Sequence, residues 1–152
     1  MQRTEIQEPL PLGRPALFDT GVWSWVRDRR FPQLSVWFNA QAAAGHVLVC
    51  DLVVLELIRA TSNEQGARAV AAQLEPFASI PMPHRIWPRA RETQLLLAAG
   101  GDHRRVPPAD LLLAAAAEAA AVRIVHYDRD YERIAQVTAL DQSWLVPDGT
   151  FA

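Results

Sequence analysis

The sequence predicts an α/β fold, a three-layer α/β/α sandwich on a short-stranded, mainly parallel sheet. Two observations carry this. Apolar runs of four or five residues, such as HVLVC at 46–50 and VRIV at 122–125, alternate with longer stretches of helical pattern, which is the order of parallel strands joined by helical crossovers. Inside these runs apolar residues are not interleaved with polar ones, so each strand is buried on both faces and helices must cover the sheet from both sides.

The elements follow in order. Residues 1–14 are charged and proline-rich and read as a flexible N-terminal extension with nothing to pack; residues 15–152 form one domain, without internal repeat. ALFDT reads as a short buried strand ending at Asp19. A helical turn through VWSWV, the loop RDRRFP and a helix over 33–44 follow, the last closed by Gly45, since glycine tolerates the left-handed position after a helix. HVLVC is the second strand, DLVVLELIRATS a helix capped by Asp51, and 63–74 a helix capped by Asn63. FASIPMP is a possible third strand, and a helix through RARETQLLLAAG stops at Gly100 and Gly101. The loop DHRRVPP leads into ADLLLAAAAEAAA, with Pro107 and Pro108 at the first helical positions, where a missing N–H costs nothing. VRIV is the fourth strand, YERIAQV a short helix and SWLV a last strand.

Composition excludes several chemistries. The single Cys50 rules out an internal disulfide and any multi-cysteine metal site, which fits a reducing compartment. The net charge is −2, and all 15 basic residues are arginine. Without lysine there is no P-loop phosphate site and no Schiff-base enzyme. The start of the chain lacks the basic patch and apolar run of a signal peptide. The longest apolar run, LLLAAAAEAAAV, carries Glu118 and is too short to span a bilayer. The expectation is a soluble, cytoplasmic protein with no membrane partner.

Five acids resist an ordinary surface reading. Asp19 and Asp128 end the first and fourth strands, and ligands of open parallel sheets bind outside the carboxyl ends of strands. Either residue could equally cap the helix that follows. Glu56 sits among aliphatic neighbours in DLVVLELIRA; a salt bridge to Arg59 would be worth only about 0.3 kcal/mol if exposed and would not account for that setting. Asp110 lies in the first turn of the alanine-rich helix, where the dipole favours an anion, and the small Ala114, Ala117 and Ala121 let that face approach the sheet. Asp130 follows Asp128 by two residues. Carboxylates gathered on one rim without lysine partners call for a divalent cation, and all-oxygen ligation points to Mg2+, with Mn2+ as a substitute. His46, His84, His103 and His126 show no paired zinc spacing and read as surface or strand-end residues.

These residues carry a resemblance. FDT near the start, the glutamate of VVLELIRA, the block VPPADLLLAAAAEAAAVRIVHYDRDYERIA and the tail TALDQSWLVPDGTFA together resemble a PIN-domain ribonuclease, specifically the VapC toxins of bacterial type II toxin-antitoxin pairs. The resemblance covers nearly everything after residue 14. It implies a PIN-like fold and a metal-dependent endoribonuclease that cleaves tRNA, rRNA or mRNA to arrest translation and growth. It also implies a VapB-like antitoxin partner and a homodimer. Asp19, Glu56, Asp110 and Asp128 would be the catalytic acids, with Asp19, Asp110, Asp128 and the auxiliary Asp130 around the metal. The N-terminal extension and the glycine pair before Asp110 depart from the family's usual pattern.

Arg27, Arg29 and Arg30 of RDRR and Arg104 and Arg105 of HRR would guide RNA phosphates, although solvated loop charge explains any one of them as well. A haloacid-dehalogenase phosphatase needs a second Asp where this chain has Gly21, and a dinucleotide fold needs more glycine than FDTGVW offers. The alternative from another class is a catalytically silent PIN-like binding or scaffold module. Trp23, Trp25, Trp37 and Phe38 look too numerous for one small core and suggest a partner surface, although burial is the simpler explanation for each. Crowded carboxylates on the rim should also make metal-free protein less stable at neutral than at mildly acidic pH, with relief on Asp128→Asn.

Overall fold

A computed structural model describes residues 5–151. Four short strands, β1 (Ala16–Phe18), β2 (Val47–Leu48), β3 (Arg123–His126) and β4 (Gln142–Trp144), form a sheet in the order β2-β1-β3-β4. Every pairing is parallel, with Leu17 opposite Leu48 on one side and Ile124 on the other. The helices are α1 (Thr20–Val26), α2 (Pro32–Ala43), α3 (Asp51–Arg59), α4 (Glu64–Leu74), α5 (Ile86–Ala99), α6 (Pro108–Ala120) and α7 (Arg129–Val137). The architecture is the α/β sandwich the alternation predicts. Ala16, Leu17, Phe18, Ile124 and Val125 are all at most 1% exposed, as strands covered on both faces must be.

Three elements differ from the sequence reading, each for a physical reason. FASIPMP makes one parallel bridge, Val49 with Ser79, flanked by bonds from Val49 N to Ala78 O and from Ile80 N to Val49 O. Pro81 and Pro83 lack the N–H groups that would extend the ladder. Helix α5 begins at Ile86, ahead of the expected start at Arg89, because Pro88 falls in the first turn where its missing N–H is not needed. Cys50 occupies the N-cap position of α3 and Asp51 its first turn, so Asp51 acts on the helix dipole instead of capping. Asn63 caps α4 as expected, accepting from Gly66 N at 2.8 Å.

The stretch ahead of β1 has partners that composition did not reveal. Residues 1–4 lie outside the described residues. Beyond them, the Trp37 indole donates to Leu10 O at 3.0 Å, and Leu12 N donates to Gln41 Oε1 at 3.0 Å. Arg14 meets Asp141 at 2.7 Å. The aromatic surplus is also absorbed internally. Trp23 and Trp37 are buried; Phe18 packs against Trp23, Trp37 and Phe38, and Trp23 packs against Phe38 and Phe77. Trp25 stacks on Phe151 with ring centroids 3.8 Å apart. These rings belong to the core or pack against it, as the simpler explanation of burial has it.

The topology brings the acids together. Asp19 N donates to Val125 O at 3.0 Å, which locks the end of β1 to β3 and sets Asp19 beside the turn carrying Asp128. Helix α6 leads into β3, so its first turn, with Asp110, returns to the same rim. Ala114, Ala115, Ala116 and Ala117 are all at most 3% exposed, and these small side chains allow the close approach.

Candidate metal centre

Asp19 follows the buried strand β1 and occupies the N-cap position of α1, yet its side chain makes no capping bond. Its Oδ1 instead accepts from the Tyr131 hydroxyl at 2.8 Å, and the residue is 9% exposed. The capping explanation for Asp19 is thereby removed. Glu56, on α3, makes no salt bridge with Arg59 among the described residues; its Oε1 accepts from Thr20 Oγ1 at 3.0 Å, which ties α3 to the start of α1.

Asp110 lies in the first turn of α6, after Pro107 at the N-cap and Pro108 in the first turn. Asp128 does cap: its Oδ1 accepts from Asp130 N at 2.9 Å at the start of α7. Turn chemistry thus accounts for one of its oxygens. Asp130 is buried, and its Oδ1 lies 2.7 Å from Arg133 Nη1. Asp110, Asp128 and Asp130 each place one ligand atom within 4.8 Å of the other two. Asp19 joins this group through Tyr131, whose hydroxyl is also 3.2 Å from Asp110 Oδ1. Of the expected acids, Glu56 stands apart, bonded to Thr20.

Burial and mutual repulsion raise the carboxyls of Asp19, Asp110 and Asp130. Burial is the main cause at Asp110, reinforced by the charges of Asp19, Asp128 and Asp130, and its pKa reaches about 8. Asp19 reaches about 6, also chiefly through burial; bonds from Tyr131 and Thr20 N–H pull the other way, and the charges of Glu56 and Asp128 add to the rise. Asp130 is raised by burial and by Asp128, against the pull of its bonds to Arg133 and Asp110. A site that holds protons near neutrality for want of positive charge is one in which a cation replaces those protons. Its donors are all hard oxygens, which suits Mg2+ or Mn2+.

His126 supports this site from behind. It is fully buried at the end of β3, which corrects the surface alternative; burial lowers its pKa. Its Nδ1 accepts from Asp128 N at 3.1 Å, and its Nε2 is bonded to Gln142 Oε1. That pairing keeps the ring neutral, with the proton on Nε2.

The five arginines divide. Arg30 makes a forked pair with Asp28, at 2.7 Å and 3.2 Å to Oδ2, and Arg105 lies 3.7 Å from Asp102. Both direct charge at acids of their own loops, as the solvated-loop reading has it. Arg27 lies over the Trp23 ring at 5.7 Å, and burial lowers its pKa. Arg29 and Arg104 are exposed. Trp25, at the end of α1 just before the first of these loops, meets Tyr127 with ring centroids 5.9 Å apart.

Sequence reasoning missed Tyr131, Thr20, Arg133 and His126. Arg133 had a signal, being three residues after Asp130 on one helix. Thr20 had a weaker one, beside Asp19. Tyr131 and His126 carried no such signal, because polar partners of each lie on other elements.

The PIN-domain family model matches residues 16–137. Ribonuclease VapC18 of Mycobacterium tuberculosis is 35% identical over 134 residues, covering 87% of this chain and 96% of that protein. Among solved structures, VapBC2 of Rickettsia felis bound to a DNA fragment of its promoter superposes with a TM-score of 0.68 at 14% identity, over 85% of this chain and 97% of that one. DNA-bound VapBC of Salmonella typhimurium does so with a TM-score of 0.66 at 13% identity, over 87% and 98%.

Proposed function

The chain belongs to the PIN-domain family, and from that premise we propose that it is a Mg2+-dependent endoribonuclease toxin of the VapC type. It would hydrolyse RNA phosphodiester bonds, arrest translation and growth in the cytoplasm, and be neutralised by a VapB-like antitoxin. The observation that carries this reading is the convergence of Asp110, Asp128 and Asp130 oxygens, with Asp19 joined across Tyr131.

A bound Mg2+ would lower the pKa of a water and offset charge on the attacked phosphate. Asp110, Asp128 and Asp130 would hold the ion, with Asp19 completing the set. Glu56, outside that group and bonded to the Thr20 hydroxyl, is the acid free to take a proton from the attacking water. Arg27, Arg29 and Arg104, none of them paired with an acid of its own loop, would meet the RNA backbone, with Arg30 and Arg105 contributing only by leaving Asp28 and Asp102.

A homodimer belongs to the same reading. Trp87 and Leu95, 58% and 66% exposed and about two turns apart on α5, offer apolar surface for a second copy. No described helix is long and apolar enough to cross a membrane. A silent PIN-like scaffold is the weaker reading, because a scaffold has no use for carboxyls held at the cost of raised pKa values.

Expression in a bacterial host tests the proposal. Wild type should arrest growth, and Asp19→Asn, Asp110→Asn and Asp128→Asn should each relieve the arrest while remaining folded. Equal arrest by Asp110→Asn would contradict it.

A further inference from the structure

Tyr131 stands on the first turns of α7, fully buried, with its hydroxyl 2.8 Å from Asp19 Oδ1 and 3.2 Å from Asp110 Oδ1. Packing does not require that oxygen. Phenylalanine would fill the same volume, and a buried hydroxyl costs free energy unless it is bonded. Here it is bonded to two acids from different elements, one at the end of β1 and one at the start of α6. Its ring is fixed in turn. His126 packs against it with centroids 4.9 Å apart, and His126 is itself held by Asp128 N and Gln142.

A phenol has one proton to give, and the shorter contact assigns it to Asp19. Two carboxylates facing each other across a buried gap repel; a hydroxyl placed between them orients one and screens it from the other. The acids then stand in their ion-binding arrangement before any ion arrives. This is the role that groups behind a ligand set commonly play, and their loss costs about 10–100-fold in metal affinity.

We infer that Tyr131 is a positioning residue of the metal centre: its hydroxyl sets the placement of Asp19 against Asp110 and so sets the affinity of the site for a divalent cation. This rests on the proposal that the acids hold a metal ion, and it adds a residue whose contribution is made through other residues.

The test is Tyr131→Phe, which removes one oxygen. Mn2+ binding is measured by the electron paramagnetic resonance of the free ion, which needs no turnover, and RNA cleavage is followed against Mn2+ concentration. The variant should bind Mn2+ about 10-fold or more weakly and regain most of its cleavage rate at high Mn2+. A merely structural tyrosine would lower the melting temperature and leave the Mn2+ affinity unchanged, and that result overturns the inference while the nuclease reading stands. Wild type that neither binds Mn2+ nor cleaves RNA overturns both.

A second measurement keeps the native packing. The chain has two tyrosines, so 3-fluorotyrosine labelling gives two fluorine resonances, and Tyr127→Phe assigns them. The Tyr127 hydroxyl accepts from Gly149 N and Phe151 N, away from the acids. Mg2+ should therefore shift the Tyr131 resonance more than that of Tyr127, and an unmoved Tyr131 resonance overturns the inference.

Discussion

Asp110 and Asp19 have folded pKa values of about 8 and about 6, above their ordinary 3.8. The folded, metal-free protein therefore binds protons more tightly than the unfolded chain. The stability these two acids contribute is fully present below about pH 4 and is lost as pH climbs through about 6 for Asp19 and about 8 for Asp110. With chelator present, the melting temperature should drop between pH 5 and pH 8. Asp110→Asn should raise it near neutrality, by about 2–4 °C for each kcal/mol recovered, and added Mg2+ should stabilise wild type more than the variant. A flat pH profile with chelator would show that the acids are not in conflict. The sequence reading placed this effect at Asp128. One oxygen there caps α7, a task Asn performs as well, whereas burial raises Asp110. Strand-end position singled out Asp19 and Asp128, and the first turn of an alanine-rich helix singled out Asp110. Neither could reveal Tyr131, whose partners lie 112 and 21 residues away.

Among the elements, helix and strand alternation was readable wherever short apolar runs met capping residues, as at Asn63 and at Gly45, where φ is +75°. The exceptions follow from backbone donors. Prolines withheld them from FASIPMP, and a proline that could do without one let α5 start early. The end of α6 shows what a sequence pattern conceals. Ala121 closes that helix at φ 54°, ψ 42°, with Val122 N donating to Ala117 O at 3.1 Å. An L-residue with a Cβ costs about 1–2 kcal/mol in this conformation. Ala121→Gly should accordingly stabilise the protein by up to about 1 kcal/mol, glycine's greater unfolded freedom taking back part of the gain. Chemical denaturation measures it, and a loss of stability would show that the Cβ packs usefully.

For the whole molecule, the net charge of −2 concealed an uneven distribution: acids converge on one rim, while Arg29 and Arg104 stand exposed in loops. Trp23 and Trp37 fill the core, as the simpler explanation has it, and the α5 residues Trp87 and Leu95 are among the exposed apolar side chains. Light scattering should report a dimer, and Leu95→Glu should yield a monomer; a wild-type monomer at high concentration would remove the dimer from the account. The central claim is that the acidic rim is a metal-dependent ribonuclease centre. It is tested most directly by RNA cleavage with purified protein stripped of metal and then given Mg2+, alongside Asp110→Asn. The account predicts no cleavage without metal, restoration by Mg2+ in wild type, and a loss of about 100-fold or more in the variant. Cleavage that survives chelation, or that the variant retains, would contradict it.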